Sequence, residues 1–197
     1  MIIQFTGMSG AGKSTLAMAA KQILAISHPR LNIEVIDADE YRKTVCADLG
    51  FSRADRQENM RRLAAVAAQF SRQGAIALIA AINPYEEVRT EIKARYDAPL
   101  VFIHCSLPEL IRRDTKGLYH RALLPDNHPQ NIGNLTGVND PYELPSTPEL
   151  ILHTSEDSLP TCIGQLCAFL TSMYQQKEGR TTSLPLNHKT EDHVTLG

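Results

Sequence analysis

The chain has 197 residues, 43% hydrophobic and 21% charged, with a formal net charge of −2 at neutral pH. That length and apolar content support one buried core, and the near-balanced charge argues against a broad basic face for nucleic acid or an acidic tail, so any anion binding has to be local. No run approaches the roughly 20 apolar residues of a membrane-spanning helix, so neither nucleic acid nor membrane is expected as a partner.

The first predicted element is a strand, Ile2-Ile3-Gln4-Phe5, with no charged and apolar leader ahead of it. The four cysteines, Cys46, Cys105, Cys162 and Cys167, show no paired metal-binding spacing. A reducing cytoplasm is the expected compartment.

After the strand comes GMSGAGKST, Gly7 to Thr15, which matches G-x-x-x-x-G-K-S and precedes a predicted helix from Ser14 to Ile26. A strand before and a helix after are the context in which such a string is a phosphate-binding loop. Glycines allow a tight turn that aims successive N–H groups at phosphate oxygens, and the helix adds its positive end. Gly7, Ser9, Gly10, Ala11, Gly12, Lys13, Ser14 and Thr15 are the expected ATP-binding set, with Lys13 on the β and γ phosphates and Ser14 as a ligand of Mg²⁺.

The second strand, Ile33 to Ile36, runs into Asp37-Ala38-Asp39-Glu40-Tyr41-Arg42. Open parallel sheets place ligands at the carboxyl ends of their strands. Asp39 is therefore the candidate base for an acceptor hydroxyl and Arg42 a candidate anion clamp; for either Asp37 or Asp39, capping a helix N-terminus is the competing role.

Next, Leu49 to Arg62 opens a helix predicted over Asp55 to Arg72, with Gly74 at its end. Its first turns carry Arg56 and Asn59, three apart and so on one face, with Phe51 just upstream. Arg56 suits bidentate anion binding and Phe51 suits stacking on a base; a solvated charged face is the alternative.

A third strand over Ala75 to Ile79, a helix over Pro84 to Tyr96 with Pro84 in its first turn, and a fourth strand over Leu100 to Ile103 follow. His104 and Cys105 close that strand and read as packed side chains, since no third ligand stands at a metal-like spacing. The segment from Asp114 to Pro148 is rich in Pro, Gly, Asn and Asp, the composition of a lid or binding loop, and His120 and His128 read as solvated there. A fifth strand, Leu150 to Leu152, and a helix from Leu159 to Gln176 complete the pattern, with Cys162 and Cys167 as core thiols. Residues 1–177 are thus expected to form one domain, with a lid at about 114–148 and a polar mobile tail over 178–197.

Alternating strands and helices of this kind predict a three-layer α/β fold on a five-stranded parallel sheet. In order along the chain, GMSGAGKST, DADEYR, DLGFSRADRQENMRR, INPYEEVR, KGLY and LTGVNDPYELP resemble the adenylylsulfate kinase family. The phosphate loop is shared by many nucleoside triphosphatases, whereas the third and last segments are far more specific. The resemblance implies a P-loop kinase that phosphorylates the 3′-hydroxyl of adenosine 5′-phosphosulfate, with a homodimer as its assembly.

By the same resemblance, Asp39 is the catalytic carboxylate, Arg42, Phe51, Arg56, Asn59 and Ile82 surround the acceptor, Lys116 and Leu118 close over it, and Arg113 lies near ATP. Departures are also visible. Asn83 stands where the family usually has Ser, and Leu135 where it has an aromatic that stacks on the adenine opposite the residue matching Phe51. After KGLY the basic pair reads His120-Arg121, and the lid is longer through Leu123 to Pro129. Both Asn83 and Leu135 count as substrate-binding positions. Losing one stacking face should cost about 1 kcal/mol, which leaves open a related kinase for another small-molecule hydroxyl, such as a cytidine diphosphate derivative. An idle nucleotide-binding regulator is the reading from another class, and the joint presence of Asp39, Arg42, Arg56 and Asn59 speaks against it.

Overall fold

In the computed structural model, residues 1–182 are described. Five parallel strands, β1 (Ile2–Thr6), β2 (Ile33–Asp37), β3 (Ile76–Ala80), β4 (Leu100–His104) and β5 (Leu150–His153), form one sheet in the order β2-β3-β1-β4-β5. Each expected strand is present within a residue or two. The central strands β1 and β3 are buried along their whole length, which is why they read as near-continuous apolar runs rather than as an alternation.

Helices cover both faces. On one, α1 (Lys13–Ser27) and α7 (Leu159–Thr182) pack Leu16, Ala20, Leu24, Leu166 and Leu170 against Ile3, Phe5, Leu78, Val101, Ile103 and Leu152. On the other, α3 (Arg53–Arg72) and α4 (Glu86–Tyr96) pack Met60, Leu63, Ala67, Val88 and Ile92 against Ile2, Ile36, Ala77 and Ile79. Residues one apart on a strand thus feed opposite cores, the period-two geometry of a sheet covered on both sides.

Several boundaries differ from the sequence reading. Helix α4 begins at Glu86 rather than Pro84, because Tyr85 occupies the cap position and Glu143 Oε2 accepts from the Glu86 N–H at 2.7 Å. Helix α7 continues past Gln176 to Thr182, so the first residues assigned to a tail are helical; the rest of that segment lies outside the described residues. Three short helices were not foreseen: α2 (Ala38–Tyr41), α5 (Leu107–Arg113) and, inside the lid, α6 (Leu118–Ala122). None is long enough to show a helical period. All four cysteines are free, and no helix among the described residues is long and apolar enough to cross a membrane.

Sheet order decides what the loops can build. The carboxyl ends of β1, β2 and β3 bring the glycine loop, α2 and the Ala81–Pro84 turn together on one side, beneath the lid.

Candidate active site

The glycine loop leaves β1 and turns into α1 through backbone conformations that only glycine holds without strain: Gly10 at φ 75° and Gly12 at φ 102°. Gly7, at φ 155°, is fixed by proximity as well. A Cβ there would lie 2.5 Å from the Ile103 carbonyl oxygen on the neighbouring strand. Since that atom belongs to the sheet, Gly7→Ala is expected to cost about 3 kcal/mol, read as a shift of the urea midpoint at unchanged slope.

Lys13, the first residue of α1, folds back so that Nζ donates to the carbonyls of Gly7 and Met8, both at 2.8 Å. Burial, with the nearby Lys116 charge second, lowers its pKa to about 8. ATP phosphates favour the protonated form, so binding above that pH requires proton uptake. ATP affinity is expected to weaken as pH rises through 8, by up to about tenfold per unit, and calorimetry in buffers of different ionisation enthalpy checks the proton count.

Asp37 and Asp39 separate into two roles. Asp37 caps α2, its Oδ1 accepting from the Asp39 N–H at 2.9 Å. The Asp39 side chain takes no part in the cap and instead bonds Lys116 Nζ from the lid. The capping alternative therefore holds for Asp37 only.

Facing them, α3 opens with a capping box, Ser52 and Asp55 each bonding the other's backbone N–H. This fixes the register that turns Arg56 and Asn59 inward, both buried. The half-exposed ring of Phe51 lies 4.4 Å from the guanidinium carbon of Arg42 and 5.5 Å from that of Arg56. Arg42 donates to the carbonyls of Leu49 and Gly50, at 3.2 and 3.1 Å. Burial, with the Arg56 charge second, lowers the Arg42 pKa.

Arg56 is held from three sides: it donates to Phe51 O at 2.9 Å and Asn134 O at 2.7 Å, and Asp140 Oδ2 lies at 3.1 Å, off line for a hydrogen bond. Asn134 and Asp140 both come from the lid, so Arg56 fastens lid to helix. The Oδ1 atoms of Asn59 and Asn83 are buried without a partner, and both residues border the cleft, so each offers it an unspent acceptor.

One cleft of about 610 Å³ joins these parts. Of the expected residues, Ser9, Gly10, Gly12, Lys13, Ser14, Thr15, Asp39, Arg42, Phe51, Arg56, Asn59, Ile82, Asn83, Lys116, Leu118 and Leu135 line it. Gly7, Ala11 and Arg113 do not. Arg113 ends α5, just ahead of the lid, and it donates to Glu109 Oε1 at 2.8 Å and to Thr154 O at 2.5 Å. Thr154 Oγ1 in turn donates to Ala11 O at 3.0 Å, so Arg113 is linked to the phosphate loop through Thr154. The lining carries four cations, Lys13, Arg42, Arg56 and Lys116, against the two carboxylates Asp37 and Asp39, which makes this cleft locally positive in a chain of net charge −2.

Supporting residues escaped the sequence reading. Buried Gln4 donates to the carbonyls of Arg89 and Ala98 and accepts from Asn83 Nδ2; buried Arg89 donates to the carbonyls of Asn83 and Glu143, both at 2.7 Å. Thr6 Oγ1 bonds the carbonyls of Ile82 and Asn83 and the hydroxyl of Tyr142, whose pKa burial pushes up to about 12. Asn83 itself sits at φ 48°, a left-handed conformation that Asn tolerates well. Tyr119, in α6, reaches the phosphate loop by donating to Ser9 O at 2.7 Å. A polar residue within or at the end of an apolar strand, as at Gln4 and Thr6, was the available signal.

A glycine-rich phosphate loop at the end of β1, a carboxylate opposite it and a lid over both define a P-loop phosphotransferase of the α/β class. Comparison with known proteins narrows this. The family model for adenylylsulphate kinase matches residues 1–153. An adenylyl-sulfate kinase of Chloroflexus aurantiacus is 42% identical over 172 residues, covering 86% of this chain and 88% of that protein. A probable bifunctional SAT/APS kinase 2 of Sorangium cellulosum is 39% identical over 186 residues, and this chain spans 31% of that longer protein. Among solved structures, the Mycobacterium tuberculosis APS kinase CysC in complex with AMPPNP and APS superposes with a TM-score of 0.76 at 34% identity, covering 88% of this chain and 96% of that one. The chain belongs to the adenylylsulphate kinase family, and it is an ATP-dependent kinase.

Proposed function

We propose that the cleft transfers the γ-phosphoryl group of ATP to the 3′-hydroxyl of adenosine 5′-phosphosulfate. The observation that carries this reading is the single cleft in which the phosphate loop, Asp39 and the group formed by Arg42, Phe51, Arg56 and Asn59 meet.

ATP docks on Gly10 to Thr15, its phosphates met by loop N–H groups, the N-terminus of α1 and Lys13. Arg42 and Arg56 take the anionic 5′ group of the acceptor, Phe51 offers a face to its base, and Asn59 and Asn83 accept hydrogen bonds. Asp39 orients the acceptor hydroxyl for in-line attack and receives its proton. In the free enzyme that carboxylate is held by Lys116, so acceptor binding and lid closure rearrange one ion pair. Lys116, Leu118 and Leu135 exclude water, the competing acceptor.

Ser14 is the residue that would hold Mg²⁺: it offers a hydroxyl oxygen next to Lys13 in the cleft, and Mg²⁺ takes one or two protein oxygens while phosphates and waters complete its shell. Bound there with ATP, the ion neutralises charge on the phosphoryl oxygens.

Leu135 supports a second acceptor, such as a cytidine diphosphate derivative, because this cleft residue is aliphatic where the resemblance implies an aromatic that stacks on the base. The deciding experiment is coupled ADP release with MgATP and adenosine 5′-phosphosulfate beside a cytidine nucleotide panel, with products identified by mass. Turnover on the cytidine panel alone would overturn the adenylylsulfate reading. If adenylylsulfate is the acceptor, Leu135→Phe restores the second stacking face and is expected to lower its KM by about fivefold at unchanged kcat.

A homodimer in the cytoplasm completes the proposal. A hexameric APS kinase from Thiobacillus denitrificans, a longer protein of which this chain covers 29%, is 26% identical with a TM-score of 0.62 and makes self-association the property to test, and the four free thiols support a reducing compartment. Light scattering on the purified chain tests the first.

A further inference from the structure

Away from the cleft, the register of β4 against β5 pairs His104 with His153 directly across the two strands. Their rings meet edge to face with centroids 5.1 Å apart. Glu156 follows three residues after His153 on a turn fixed by its own backbone: Thr154 N donates to His104 O at 2.9 Å, and the N–H groups of Glu156 and Asp157 donate to His153 O at 3.0 and 2.8 Å. One ligand atom from each of His104, His153 and Glu156 lies within 4.8 Å of the others.

The Nδ1 atoms of both histidines are buried and have no hydrogen-bond partner. Glu156 Oε1 is 3.8 Å from His153 Nδ1, too far for a hydrogen bond. Two adjacent buried imidazole nitrogens left unpaired carry a real cost, and a shared cation would relieve both.

The geometry points to a divalent transition-metal site of the zinc class formed by His104, His153 and Glu156. Two imidazoles and a carboxylate are a set that zinc accepts, and three protein ligands leave a fourth position for water. Imidazole donors disfavour Mg²⁺ and Ca²⁺. Tetrahedral zinc holds its ligand atoms about 3.3 Å apart, so side-chain rotations of the order of an ångström close the site. Glu156 is exposed, which gives an ion a way in. The adjacent Cys105 is no competitor, because its side chain packs in the core on the α1 and α7 face.

None of the three residues lines the catalytic cleft. The test is Zn²⁺ titration of the full chain against a chromophoric chelator, with Co²⁺ absorption as a second readout. Wild type is expected to bind one equivalent, and Co²⁺ to give a visible band without thiolate charge transfer. His153→Gln and Glu156→Gln are each expected to weaken binding about tenfold or more while turnover with MgATP is unchanged. Glu156→Gln, on an exposed turn, keeps the test decisive if His153→Gln folds poorly. Equal affinity in wild type and Glu156→Gln, a thiolate band with Co²⁺, or no stoichiometric Zn²⁺ uptake would each overturn the site.

Discussion

Replacing Lys13 by Ala is expected to lower kcat by about 10³-fold and to weaken ATP binding with it. Two losses combine. The first is a cation aimed at the transferring phosphoryl group inside a cleft that excludes water, where one preorganised donor contributes on the order of 3–4 kcal/mol to the transition state. The second is mechanical: Nζ donates to the carbonyls of Gly7 and Met8 at 2.8 Å, so its removal unties the loop it belongs to. Desolvation and the Lys116 charge disfavour Lys13, while Asp39, Asp37 and its two hydrogen bonds to the loop favour it, so thermal stability in the absence of nucleotide should change little. Steady-state kinetics, ATP calorimetry and a melt together separate the effects. Turnover within tenfold of wild type would remove Lys13 from the mechanism.

Asp39→Asn is expected to lower kcat by about 10²-fold or more while ATP affinity changes little, because Asn keeps the size and can still accept a hydrogen bond but cannot take the hydroxyl proton. Its partner in the free enzyme makes the result specific. Lys116 bonds Asp39 across the front of the cleft, and both side chains are more than half exposed, so breaking this pair should leave stability nearly unchanged. A drop in kcat at constant melting temperature is therefore chemistry rather than folding. Asp37→Asn is the matched control: it keeps a capping oxygen for α2 and should cost far less turnover. Equal losses in the two variants would sink the division of labour between these neighbours.

Much of the molecule was legible in the residues alone, because the physics there is local. Buried parallel strands need continuous apolar runs, a phosphate loop needs glycines where φ is positive, and a nucleophile-activating carboxylate belongs at a strand's carboxyl end; each leaves its mark within a few positions of the chain. That is why Gly7 to Thr15, Asp39, Arg56 and Asn59 could be picked out together with all five strands. Short helices such as α2, α5 and α6 were missed for the complementary reason, since five or so residues carry no period.

What the tertiary structure decided was set by partners far apart in sequence. For Asp37 and Asp39 alike the sequence leaves helix capping open; only the short helix α2 and the reach of Lys116, 77 residues away, give one a cap and the other a carboxylate paired with the lid. Resemblance alone places Arg113 near ATP; its bond to Thr154, 41 residues on, is what ties it to the end of β5. His104 looked solitary until strand register set His153 beside it and a turn brought Glu156 within reach. Sequence periodicity records which face of an element is buried. Which two elements meet, and at what register, is fixed by packing over the whole sheet, and that leaves no local trace.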